Sequence, residues 1–77
     1  MSLPLLLRKT AGLNERKFLV FNQETEFWDS IKFEDIQVGD KVLYVVVGTS
    51  KRSIAYTAIN TPYNNERFGF LCEVEEA

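Results

Sequence analysis

Three adjacent basic pairs, Arg8-Lys9, Arg16-Lys17 and Lys51-Arg52, lie in or beside segments that read as hairpins. Paired cations of this kind hold a phosphate backbone when the fold brings them to one rim, and this needs a local stripe, not a basic total. Exposed aromatic rings supply the other half of single-strand recognition, because each base stacked on one contributes about 1–3 kcal/mol. Trp28 leads the stacking candidates, since strand alternation puts it with Glu26, Ser30 and Lys32 on a polar face. Phe18 or Phe21, whichever faces outward, and Tyr63 come next. Two readings stay open at Trp28: a stacking platform, or a ring packed under a loop or at a subunit contact. Glu26 and Asp29 beside it oppose phosphate, and the basic pairs also read as ordinary solvated turn charges.

Other chemistries lack the residues they need. The chain has no histidine, which removes imidazole metal sites and histidine general bases. Its one cysteine, Cys72, has no internal disulfide partner and no cationic neighbour to activate it, and reads as a small buried hydrophobe. Glu24, Glu26, Asp29, Glu34 and Asp35 supply carboxylates, but their spacing fixes no acid–base pair and lacks the glycine of a calcium loop. The four glycines are scattered singly, so no phosphate-cradling loop forms. The expectation is a protein with no catalytic residues, no metal and no cofactor. The apolar runs Leu5–Leu7 and Val42–Val47 are far short of the roughly 20 residues of a membrane helix. With no export signal and a single free thiol, a cytoplasmic location is expected.

The net charge of −2 conceals an uneven distribution. Residues 24–40 carry six acids and one base, residues 73–77 three acids, and the remainder eight bases against Glu15 and Glu66. The three parts are −5, −3 and +6. A slightly acidic total therefore does not decide the partner.

The elements that must position these residues are short. At 77 residues the chain is one small domain, 1–77, and its 45% apolar content suffices for one core. Periodicity of two recurs between turn signals, the pattern of a small sandwich or barrel. Strands are expected from Leu5 to Ala11, from Phe18 to Phe21 after a connection over residues 12–17, and through Phe27 to Phe33 after a turn at Asn22–Thr25. Glu34–Ile36 reads as a short or helical turn, and Val42–Val47, apolar on both parities, as a strand covered on two sides. Gly48–Lys51 would then connect it to Ser53–Ile59, and Asn60–Asn65, broken by Pro62, reads as a loop. The last strand, Arg67 to about Val74, places Phe68, Phe70, Cys72 and Val74 on one face. The sum is an all-β barrel of five or six strands.

The stretch from Gly12 to Phe21, with Asn14-Glu15-Arg16-Lys17 ahead of Phe18, resembles the first two strands of cold-shock and ribosomal-type OB domains. Phe27-Trp28-Asp29-Ser30-Ile31 is similar to that family's third strand, and Phe33 to Val42 to the turn entering its fourth, so the resemblance covers about residues 5–59. Departures are Lys17 and Leu19 in place of glycines, no aromatic near Leu13, and no histidine after the third strand. Asn65-Glu66-Arg67-Phe68-Gly69-Phe70-Leu71 is similar to the cold-shock RNA-binding signature but stands at the C-terminus. Gly39-Asp40-Lys41-Val42 also suits Tudor-like and KOW-like barrels. The resemblance implies an OB-like barrel that binds RNA or single-stranded nucleic acid, with the Tudor/KOW-like barrel as the alternative architecture. A second functional expectation stands beside it: a homodimer or protein partner pairing through exposed strand edges.

Overall fold

A computed structural model describes residues 5–10 and 15–77. Among them are seven strands and one 3-10 turn, with no α-helix: β1 (Leu5–Arg8), β2 (Arg16–Asn22), β3 (Phe27–Ile31), the 3-10 turn (Phe33–Asp35), β4 (Lys41–Val46), β5 (Tyr56–Ala58), β6 (Tyr63–Asn65) and β7 (Gly69–Glu76). The all-β class is as the alternation required. Every pairing is antiparallel, in the order β1-β7-β5-β4-β2-β3, with β6 also beside β7.

The sheet does not close, which corrects the barrel expected from the sequence. Strand β1 pairs with β7 alone and β3 with β2 alone, so each keeps a free edge among the described residues. Leu7 of β1 and Phe18 of β2 nevertheless belong to one buried cluster although three strands separate β1 from β2 in the sheet. That is possible only because the sheet curls around the cluster. Side chains, not a ladder, span the remaining seam: the Lys9 ammonium is bonded to the Glu34 carboxylate, and Arg16 Nη1 donates to the carbonyl of Arg8 at 3.1 Å.

Leu7, Phe18, Val42, Ala58, Cys72 and Val74 form the inner face, and Phe33 and Ile36 of the turn segment complete the same cluster. On β4 the adjacent Val42 and Leu43 are both buried, as a run apolar on both parities requires. The tight turn at residues 23–26 falls where Asn22–Thr25 predicted it: Asn22 Oδ1 accepts the backbone N–H groups of Glu24 and Thr25, and Glu26 adopts φ +61°. The helical turn near Glu34 also falls where expected.

Several boundaries differ from the sequence reading, and those that move a side chain or an element are these. Ala11 and the connection at 12–14 lie outside the described residues, and β1 ends at Arg8. The return strand expected over Ser53–Ile59 is only Tyr56–Ala58, because Ser53 Oγ takes the Tyr44 N–H at 2.8 Å and Arg52 meets Val45 as an isolated bridge. Part of the supposed loop Asn60–Asn65 is β6: Pro62 sits just outside the ladder, and Tyr63–Asn65 pair with Leu71–Gly69. Phe68 does not follow the inward parity of β7, since it belongs to the turn before Gly69, whose φ of +76° reverses the chain, and it is 43% exposed. Conversely Leu71, expected on the outer parity, is buried.

Candidate functional site

Alternation along β2 sends Arg16, Phe18 and Val20 inward and Lys17, Leu19 and Phe21 outward, because Phe18 belongs to the core cluster and its neighbours have the opposite parity. Cross-strand register then assembles an outer surface over three strands. Phe21 stands opposite Trp28 and Leu19 opposite Ser30 on β3, while on β4 Leu43 faces Leu19 and Val45 faces Lys17. The Phe21 and Trp28 rings meet edge to face, with centroids 5.3 Å apart at 62°. Such a pair adds roughly 0.5–1.5 kcal/mol to the burial of its rings and fixes Trp28 in a half-buried, half-open position. The Lys41 ammonium lies 5.6 Å from the Phe21 centroid, within cation–π range.

At the other end of this surface Lys17, Val45 and Arg52 form one row, since Val45 is the register partner of both basic residues. The face therefore runs from an aromatic end with one lysine, over Leu19 and Leu43, to a basic end. Asp29 belongs to the opposite face of β3: it pairs with the inward Val20, and its Oδ2 accepts a hydrogen bond from Asn22 Nδ2 at 3.2 Å. The carboxylate that stood nearest Trp28 in the sequence is thus turned away from it. Glu26 remains in the exposed turn at the aromatic end.

The other candidates do not join this surface. Phe18 is only 4% exposed, with its ring 4.9 Å from that of Phe33, so it offers no stacking face and Phe21 is the outward member of that pair. Tyr63 is exposed on β6, in a row with Leu71 and Arg8 on a different part of the sheet. The Arg8 guanidinium lies 4.6 Å from the Phe68 ring, and that of Arg67 lies 5.5 Å from it. Lys9 is committed to Glu34, and Arg16 lies 4.1 Å over the Tyr44 ring. Lys51 is exposed in the loop after β4. The expected single rim of basic pairs is thus divided, and in the case of Arg16-Lys17 the reason is elementary: neighbours in a strand point to opposite faces. Sequence reasoning missed Lys41 and Phe68, because Lys41 reaches Phe21 only through the β2–β4 register and Phe68 turns outward only through Gly69.

Three titrations are displaced. Hydrogen bonding to Lys9, helped by a backbone N–H, holds the Glu34 carboxyl below its usual range. Burial, reinforced by Glu73, pushes the Cys72 thiol up to about 11, and Cys72 Sγ lies 3.3 Å from the Asn60 carbonyl, to which it donates. Burial, with Tyr44 and Glu76 nearby, also raises Tyr56. The described residues hold no group of three or more potential metal ligands, and no helix among them is long and apolar enough to cross a membrane. Comparison with protein-family models, curated proteins and solved structures found no match to the chain.

Proposed function

We propose that the protein is a non-catalytic binding module for RNA or single-stranded nucleic acid, built on an OB-like curled sheet that uses the outer face of β2, β3 and β4. The observation that carries the reading is the gathering of Phe21, Trp28, Lys17, Lys41 and Arg52 on one face while Asp29 points to the other. Bases would stack against the open side of the Trp28–Phe21 pair, and the three cations would hold phosphates at either end. Titration of a single-stranded oligonucleotide at two salt concentrations, followed by Trp28 fluorescence, tests this. Quenching is expected, with affinity that falls on raising salt and drops about tenfold or more in Trp28→Ala. Absence of binding at low salt, or salt-independent binding, overturns the reading.

A second reading, a homodimer or a protein partner added at a strand edge, is favoured by the edges of β1 and β3 that have no partner among the described residues and by Leu5, Leu6 and Phe27, the last 70% exposed. Sedimentation reads it directly: a strict monomer at high concentration removes the homodimer.

A further inference from the structure

The seam that replaces barrel closure contains a cleft of about 590 Å³, within the size range of small-molecule sites. Its apolar lining includes Phe18, Ile31, Phe33 and Val47, and Thr10 and Ser30 supply hydroxyls. Four cations and two carboxylates converge on it. Lys9 and Glu34 neutralise each other across the seam, which leaves Arg16, Lys17 and Lys32 against Glu15 alone. The Arg16 guanidinium is taken up by the Tyr44 ring and the Arg8 carbonyl on the inner side of β2, so Lys17 and Lys32, on the opposite side, are the cations left to a ligand.

We infer that this cleft binds a nucleoside phosphate, its ring against Ile31 and Val47 and its phosphate on Lys32 and Lys17. An apolar wall beside surplus fixed cations selects an anion that carries a flat, poorly hydrated body, and the hydroxyl groups suit a sugar. Lys17 and Ser30 also belong to the outer face, so the cleft opens toward the Trp28 surface. Lys17 lies four residues along β2 from Phe21, about 14 Å at the usual strand rise, so the ligand is either a free nucleotide or the phosphorylated end of a strand lying on that face.

Amide NMR titration of the whole chain with adenosine monophosphate, and separately with adenosine, tests the cleft without relying on the outer face. The nucleotide should shift Ile31–Glu34 and Lys17 saturably and bind at least tenfold more tightly than the nucleoside. Lys32→Glu should weaken it at least tenfold, whereas Trp28→Ala should leave it unchanged. Equal binding of nucleotide and nucleoside, or no shift at these residues, overturns the inference even where an oligonucleotide quenches Trp28. Nucleotide binding with no oligonucleotide binding supports the cleft and overturns the proposed use of the outer face. A final arm separates the two sources: if the strand end is the ligand, a phosphorylated oligonucleotide binds more tightly than its hydroxyl counterpart, and that gain is lost in Lys32→Glu. If a free nucleotide is the ligand, the two oligonucleotides bind alike while the nucleotide still shifts the cleft.

Discussion

Two single residues are set by their surroundings in opposite senses, Cys72 fixed in its neutral form and Glu26 held in a backbone conformation that costs it. Cys72 is fully buried and its thiol is pushed up to about 11 by burial, so neither exposure nor thiolate character favours attack. Alkylating reagents at neutral pH should therefore label it only at the rate of unfolding, and at once in denaturant. The linkage has a definite sign: a group whose folded pKa lies above its unfolded value, here 9.0, contributes stability below that value and loses it as pH rises toward 11. Chemical denaturation at pH 8 and at pH 10 should show the loss, and Cys72→Ala should reduce that pH dependence even though it lowers stability at both. Glu26 is the other case, a non-glycine residue at φ +61° with its backbone N–H bonded to the Asn22 carbonyl at 2.7 Å. Glu26→Gly relieves a left-handed conformation that costs about 1–2 kcal/mol, against roughly 1 kcal/mol of added chain entropy, so thermal unfolding should move upward slightly and Glu26→Val should move it down.

Among the elements, the turn segment between β3 and β4 is the most consequential for its length. Ile36 is 0% exposed and packs in the cluster with Phe33, so Ile36→Ala should cost roughly 2–5 kcal/mol, a large share of what a chain this small can have. The same segment carries Glu34, whose bond to Lys9 spans the open seam. Its depressed pKa means that the pair's contribution is present above the ordinary carboxylate value of 4.5 and disappears as pH falls through the lower folded value. Glu34→Gln should flatten the acid limb of the stability profile while leaving neutral stability little changed, because the pair is exposed. Much of this was legible in the sequence: the turn at Glu34, the cover on both faces at Val42 and Leu43, though not as far as the exposed Val47, and the outer parity of Trp28 all follow from alternation and turn chemistry. Strand β6 was not, because a proline and three asparagines describe a loop equally well until a partner strand takes their backbone groups. Nor was the seam, since whether two short edges meet depends on sheet curvature, which no local pattern encodes.

For the molecule as a whole, the question left by a −2 total is whether local placement outweighs it. Register answers part of it: Lys17, Lys41 and Arg52 share the proposed binding face and Asp29 faces away, while Glu75, the partner of Thr57, stands in the Lys41 row two strands along. Of the acids in the central segment only Asp29 lies in a strand and is turned off the face by the strand period; Glu24 and Glu26 stay in the turn at its aromatic end. At physiological salt the screening length is about 8 Å, so a carboxylate two strand spacings away, roughly 9.5 Å, is partly screened from a strand lying on the face, and the cations in contact with it are not. Three phosphates neutralised on a single strand imply a slope of about −2 in log affinity against log salt. Lys17→Ala, Lys41→Ala and Arg52→Ala should each make that slope shallower by about 0.7, and Lys51→Ala, exposed in the loop outside the Lys17–Val45–Arg52 row, should change it less. A slope unmoved by all three variants, measured by the Trp28 titration, would place the phosphates elsewhere on the molecule and remove this face from the binding site.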